Sequence, residues 1–548
     1  MRYISTRSAE HSYSFREAAC LGRCPQGGIF VPEDLTPLTD KFWDNLSGLD
    51  FWGKMACCLS YFVEDIRPYK AELLVRQAYP DEVFGSNPLK AGLLNPYKAG
   101  EMLVLADSGP TGNRRDFANA LAAVLYESWF EKADCPILYA GPDLSSVLSL
   151  VQSLRKYPTL AGVYFVDRRL DQQSLARLEA YLSHSQGMGF KLDSDPDAAA
   201  AAILRAVTDS ELSRQLSSAG IRLLPADGSS VISLVTNLSL LLTAFSSLKD
   251  KNLLDEPAGP DICLSACDLD LVLAALYLKS MGMPLGQIVL AENSNRIYSD
   301  FFRSAIFNLK RNNKPSLAQN LDQALHPCFE ALLFELLGRS YEEAEASFRE
   351  LLTDGQCQLD RQYRSAWGQH ITAIYSNDKT LVSQCRSLYE TTDYLLDAGA
   401  CACFAARKLQ LRNRQEEDYF VVVSSENPLW TLDLCAESLF SRSFNRSKNL
   451  EDLAEAMVEE SGIAYPPDLK SGLIQLEDAA NHDTRIFQEL DPKFTGADLA
   501  DLLFYLSRQI GSETAELVAA DDHKELLDEV EAYSVEIEER DEERYEEE

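Results

Sequence analysis

Short apolar runs alternate with longer helical ones through the middle of the chain. Met102-Leu103-Val104-Leu105, Pro136-Ile137-Leu138-Tyr139, Val163-Tyr164-Phe165-Val166, Ile262-Cys263-Leu264, Ile288-Val289-Leu290 and Phe420-Val421-Val422-Val423 each read as a short strand buried on both faces. Between them, Phe117 to Phe130 and Leu269 to Met281 carry apolar residues on most faces, as helices packed on a parallel sheet do. The class is α/β. In such a fold ligands collect at the strand C-termini, where loops and helix N-termini present backbone amides. Residues 1–90 form a mixed, mostly helical leader with a glycine turn, Pro25-Gln26-Gly27-Gly28, before Ile29-Phe30-Val31-Pro32. Residues 91–440 are the α/β core, in two subdomains. Residues 441–490 read as a helical segment containing the amphipathic stretch Asn449 to Ser461, and 491–548 as an acidic helical extension and tail. In that extension Thr495-Gly496-Ala497-Asp498 resembles a capping box ahead of Leu499, Leu502, Leu503, Leu506 and Ile510 at helical spacing. The stripe needs a surface, either the chain's own globule or a partner's groove.

Composition changes this picture little, and charge changes it more. The 548 residues are 46% apolar and 25% charged, which excludes a disordered, collagen-like or disulfide-scaffold chain. Against 51 Lys plus Arg stand 85 Asp plus Glu, a formal net charge of −34. Nucleic acid and anionic membrane are therefore not expected partners. Residues 521–548 hold 15 acidic and 3 basic side chains, so about a third of the imbalance sits in the last segment, which reads as a solvated tail. No run reaches the ~18 uninterrupted apolar residues that a membrane span needs. The thirteen cysteines are scattered without a Cys-x-x-Cys, and the six histidines lie far apart, so no metal site is expected. Reduced thiols point to a cytoplasmic location.

Several segments together carry a family resemblance. Tyr3-Ile4-Ser5-Thr6-Arg7, Ser14-Phe15-Arg16-Glu17-Ala18 and the Pro25 to Pro32 turn resemble the N-terminal region of threonine synthases. Gly109-Pro110-Thr111 with Arg115-Asp116-Phe117-Ala118 resembles that family's GPT-x-x-x-KDFA segment. Lys279 to Pro284, Ser299 to Phe302, Cys328 to Leu336 and Ser461 to Pro467 resemble later segments, so the likeness spans about residues 3 to 470. It implies the fold-type II pyridoxal-phosphate (PLP) architecture: three-layer, tryptophan synthase β-like α/β domains. It further implies conversion of O-phosphohomoserine to threonine.

The resemblance also implies site residues that this sequence replaces. At the position matching the lysine that forms the PLP Schiff base stands Arg115, preceded by Arg114, and no lysine occurs between Lys98 and Lys132. A guanidinium stays protonated and has no free amine to condense with an aldehyde. The family's glycine-rich phosphate loop matches Ser265-Ala266-Cys267-Asp268-Leu269-Asp270, without glycine and with two carboxylates at a helix start. At about 4 Å and an effective dielectric near 20, each carboxylate would repel a phosphate charge by on the order of 4 kcal/mol. The substrate-side loop has become Ala140-Gly141-Pro142-Asp143-Leu144-Ser145. Two further site segments are now Pro225 to Ser230 and Asp397 to Cys401, with polar groups lost from each.

Three functional readings follow. The first is a threonine-synthase-like pseudoenzyme with no cofactor, kept for binding or regulation, with a protein partner met through the C-terminal helix and acidic tail. The second is a working PLP-dependent threonine synthase with an atypical site. The third is a sensor of an anionic metabolite, held by Arg114 and Arg115 in the remodelled cleft. Against the third stands a simpler fate for the two arginines, ion pairing with Asp116 or with Asp268 and Asp270. Asp143, Asp268 and Asp397 read as helix caps or loop residues rather than acid-base groups.

Overall fold

The computed structural model describes residues 1–511 except 96, 99, 131–134, 168–177, 179–186, 255–258, 312, 369, 412–418, 441–443, 446, 467–486 and 491–492. The expected acidic tail lies outside the described residues. All six anticipated strands form, and two sheets receive them. The large sheet runs, edge to edge, Ile371–Tyr375, Ile288–Glu292, Asp261–Ser265, Phe420–Ser424, Glu101–Leu105 and Lys90–Leu93. It is parallel except for its last pair, where Lys90–Leu93 runs antiparallel to Glu101–Leu105. The small sheet runs Phe487–Leu490, Gly187–Leu192, Ala161–Asp167, Cys135–Ala140 and Ile221–Pro225, all parallel. Phe420–Ser424 and Ile288–Glu292 are buried along their whole length, which is why they read as unbroken apolar runs.

Helices cover both sheets. Val231–Asp250 is long and apolar enough to cross a membrane by length and composition, yet its apolar window is 94% buried inside the fold. The N-terminal region adds what its pattern hid, a three-stranded antiparallel sheet of Ser8–Tyr13, Tyr3–Ser5 and Phe30–Pro32. Its strands are too short and too mixed to show an alternation. The glycine turn behind it is required: Gly28 has φ +81°, and a Cβ there would lie 2.7 Å from the Ser5 and Thr6 hydroxyls. The turn lets Thr6 and Arg7 reach Glu330 in the helix Phe329–Leu336. That fully buried carboxylate accepts from Thr6 Oγ1 at 2.8 Å and from Arg7 Nε at 2.8 Å.

At the other end, Asn449 caps the helix Leu450–Ser461, accepting from the Asp452 amide at 2.7 Å, and Gly462 closes it at φ +67°. The segment 441–490, expected to be helical, ends instead in the strand Phe487–Leu490. That strand pairs parallel with Gly187–Leu192 at the sheet edge, where a mixed Phe-Gln-Glu-Leu pattern is tolerated. The Thr495 capping box forms as anticipated: the Thr495 amide donates to Asp498 at 2.6 Å, and the Asp498 amide donates back to the Thr495 hydroxyl at 3.4 Å. The helix that follows, Gly496–Gly511, lays Leu499, Leu502, Leu503 and Leu506 into the core of the small sheet, with Phe494 stacked on Phe165 at 5.9 Å. Of the two surfaces considered for that stripe, the chain's own globule is the one that buries it.

Candidate functional site

The C-terminal end of the large sheet gathers the loops that matter. After Glu101–Leu105 the chain crosses the sheet end on backbone hydrogen bonds, with the Ala106 and Arg114 amides donating to the Ser424 and Ser425 carbonyls at 3.0 and 2.7 Å. Asp116 ties this loop from inside. It is fully buried and accepts from the Thr111 amide at 2.9 Å and the Thr111 hydroxyl at 2.7 Å. Only glycine fits at 109, because a Cβ there would fall 2.3 Å from the Asp116 carboxyl. Burial pushes the Asp116 carboxyl up to about 6, against the bonds from Thr111 that hold it down. Asp116 is thus a loop brace, and the ion pairs of the two arginines lie elsewhere.

Arg114 turns into the interior, 2% exposed, just before the helix Arg115–Trp129. Its Nη2 donates to Asp268 and to Asp270, both at 2.8 Å, and its Nη1 donates to Asp270 at 3.2 Å and to the Asn237 amide oxygen. Nε donates to the Ser425 hydroxyl at 3.3 Å. Every side of the guanidinium is met, and Asn237 also donates to Asp270 at 2.9 Å. Burial raises Asp270, but Arg114 and Arg115 outweigh it and hold that carboxyl well below its ordinary range. Asp268 stands at the start of the helix Leu269–Ser280, where a cap was expected, yet it makes no cap bond. Its carboxylate goes to Arg114 instead, and the turn Ala266–Asp268 is capped by Ser265, whose hydroxyl accepts from the Cys267 amide.

Arg115 is held differently. Its nearest carboxylates, Asp143 and Asp270, stand at 3.7 Å, too far for a hydrogen bond. Asp143 caps the helix Leu144–Leu154, accepting from the Ser145 and Ser146 amides at 3.0 and 3.2 Å, and it also takes the Ser145 hydroxyl at 2.7 Å. Ser145, its hydroxyl proton on Asp143, stands 3.2 Å from Glu426, which accepts from Asn113 at 2.9 Å and Asn320 at 3.0 Å. Burial first, then the charges of Asp397, Asp143 and Asp268, push Glu426 up to about 8. Asp397 sits at the start of Ala398–Leu411, as expected of a cap, accepting from the Ala400 amide at 3.0 Å and the Ser424 hydroxyl at 2.5 Å. Burial pushes it up to about 7. His326, also buried, is driven down to about 4, by burial and then by the Arg115 charge.

Five members of this network were not singled out from sequence: Asn237, Glu426, Asn113, Asn320 and His326. Asn237 had a signal, a lone amide in the middle of a 20-residue apolar helix. Glu426 had a weaker one, standing two residues beyond a buried strand at the ligand end of the sheet. Of the two lysines that bracket Arg115 in sequence, Lys98 pairs with Glu101 and Lys132 lies outside the described residues.

Two sheets of this order, covered by helices, make the fold-type II architecture found in PLP enzymes. Within it the chain is similar to threonine synthases. Residues 2–79 match the family model described as threonine synthase N terminus. Over 93% of its length the chain superposes on all of the PLP-bound threonine synthase from Brucella melitensis, with a TM-score of 0.70 and 17% identity. Yeast threonine synthase gives 0.71 at 16% identity, over 93% of this chain and 99% of that one. Among curated relatives, human threonine synthase-like 1 is 22% identical over 446 residues, 77% of this chain and 58% of the relative. The chain therefore spans under two thirds of the length of those threonine synthase-like 1 proteins. The threonine synthase of Eremothecium gossypii is 19% identical over 80% of this chain and 89% of its own length.

Proposed function

We propose that this chain is a threonine-synthase-like protein that performs no PLP chemistry and acts by binding. One observation carries the reading. Where the family resemblance puts the phosphate loop, Asp268 and Asp270 are locked on the buried Arg114 guanidinium, 2.8 Å from each. The residues present do not fit PLP. Arg115, at the matching position for the Schiff-base lysine, offers no condensable amine. A phosphate at Ser265–Asp270 would have to displace a carboxylate from Arg114, or lie beside both carboxylates with their counter-charge already used. The thirteen cysteines, scattered without a Cys-x-x-Cys, support a reducing compartment such as the cytoplasm. A protein partner met through the segment beyond residue 511 completes the reading, since the stripe of the preceding helix is buried on its own sheet.

The competing reading, an active threonine synthase, draws on the N-terminal family match and on the PLP-bound neighbour. Absorbance of the purified protein separates the two. With PLP added, the expected spectrum is that of free aldehyde, and borohydride leaves no covalent adduct on the chain. A visible aldimine band that borohydride bleaches would sink the non-catalytic reading.

A further inference from the structure

A cavity of about 640 Å³ lies away from the arginine network, against the edge strand Ile371–Tyr375, two strands or ~10 Å beyond Asp261–Ser265. Arg296, Asp300 and Arg303, on the helix Ile297–Ser304 and its cap, line one wall, and Leu409 of the helix Ala398–Leu411 lines the other. The floor is the strand itself, which among the described residues pairs only with Ile288–Glu292. At the two ends of that pairing the Ile288 amide donates to the His370 carbonyl and the Ser376 amide to the Glu292 carbonyl, both at 2.9 Å. By the two-residue period of a strand, Thr372 and Ile374 then turn their backbone groups to this neighbour, and Ile371, Ala373 and Tyr375 turn theirs to the open side. Such an edge is a template for another strand, and Ile371–Tyr375 carries neither the lysine nor the proline that closes edges elsewhere.

The rim selects what can add there. The chain carries a net charge of −34, yet residues 296–314 hold five basic side chains, Arg296, Arg303, Lys310, Arg311 and Lys314, against the single acid Asp300. Asp300 accepts from Arg296 at 3.2 Å and from Arg303 and Arg311 at 2.5 Å each, so three guanidiniums share one carboxylate and two positive charges are left over. The groove therefore fits an extended segment with carboxylates on one face and apolar side chains on the other. This chain contains one. In residues 533–538, Tyr533, Val535 and Ile537 alternate with Ser534, Glu536 and Glu538, a strand period with an acidic face. The helix Gly496–Gly511 ends near enough to deliver it: it packs on Pro196–Val207, whose Asp197 accepts from Asn313 of the basic stretch at 2.8 Å. The 21 residues between Gly511 and Tyr533 span up to roughly 70 Å when extended. We infer that residues 533–538 add as a further strand to the open edge of the large sheet, with Glu536 and Glu538 toward Arg296 and Arg303 and with Val535 and Ile537 toward Leu409. The inference is independent of whether the cleft holds PLP.

Hydrogen exchange of the full chain, read by mass spectrometry over residues 371–375, tests it. The variants are made in the added segment, so the described fold is untouched. Val535→Pro with Glu536→Pro removes a donor of either parity, and exchange at the outward amides of Ala373 and Tyr375 should then run at least ~10-fold faster than in the parent. Glu536→Lys with Glu538→Lys should accelerate the same amides, while those of Ile288–Glu292 stay slow in both variants. A synthetic peptide of residues 531–540 added to the proline variant should restore the slow exchange, and a shuffled peptide of the same composition should not. Equal exchange in the parent and the proline variant overturns the inference. So does restoration by the shuffled peptide, which would make the contact one of bulk charge. Protection that rises with protein concentration, beside a dimer in light scattering, overturns it in favour of a second copy of the chain. All three leave the non-catalytic reading standing, since the absorbance test of that reading does not involve this edge.

Discussion

Arg114 is the residue on which the interior of the site depends, because it neutralises two carboxylates that burial would otherwise penalise. Removing one partner of a buried ion pair leaves an uncompensated charge, at a cost of about 3–5 kcal/mol. Arg114→Met should therefore lower the urea-unfolding free energy by about that much at neutral pH. Adding Asp268→Asn and Asp270→Asn to it should recover part of the loss. If the triple variant is no more stable than Arg114→Met, packing of the long side chain, not its charge, is what the site needs. Glu426 gives the opposite kind of test. Folded, it keeps its proton up to about pH 8, whereas an unfolded glutamate loses its own near 4.3. Between those values the native state binds more protons than the unfolded one, so stability falls as pH rises. Glu426→Gln removes that penalty: its oxygen keeps the bond from Asn113, and its NH2 can donate to Asn320 once that amide turns its Oδ1 inward. The variant should be more stable than the parent at pH 8 by at least about 1 kcal/mol, with the gap closing toward pH 5. Asp270 works in reverse: its depressed folded pKa contributes stability above its unfolded value near 3.9, lost as pH falls below it. A gap for Glu426→Gln that widens on acidification would contradict the assignment.

At the scale of elements, legibility followed burial. The strands Ile288–Glu292 and Phe420–Ser424, covered on both faces, stand out in the sequence because every position but the last of each is apolar. Ile371–Tyr375 does not, because it lies at the sheet edge and only Ile371 is fully buried along it. Gly187–Leu192 is masked by two glycines that carry no hydrophobic signal, although Gly187 is required by contact: a Cβ there would sit 2.6 Å from the Gly162 carbonyl oxygen. The site was legible in the same uneven way. Residues within motifs, Arg114, Arg115, Asp143, Asp268, Asp270 and Asp397, could be named in advance. How two adjacent arginines divide their roles could not. That depends on Asn237, 123 residues away from Arg114, and on the direction in which the loop enters the helix. Caps were equally hard to assign, since Asp143 and Asp268 occupy similar positions at helix starts and only Asp143 bonds to the amides.

For the whole molecule the unresolved question in the sequence was what the chain beyond the α/β core is for, and the answer begins at the small sheet. One face of that sheet is closed by the helix Gly496–Gly511, which buries four leucines among Ile137, Phe165 and Phe190. Each buried leucine contributes about 1.5–3 kcal/mol relative to exposure, so the helix is worth several kcal/mol to a sheet that has its own separate core. Deleting it also bares an apolar face with the Phe165 ring at its centre, since Phe494 no longer stacks there. A chain ending at Leu490 should therefore melt at least ~10 °C below the full chain, or aggregate, and should bind a hydrophobic dye in its native baseline. A chain ending at Gly511 keeps the helix and should melt within about 2 °C of the full protein, although it has lost the most acidic stretch of the sequence. Thermal scans of the two truncations, run beside the full chain, decide the matter. If cutting at Leu490 leaves the melting temperature unchanged, the helix is not part of the core, and its leucine stripe becomes the first surface on which to look for a partner.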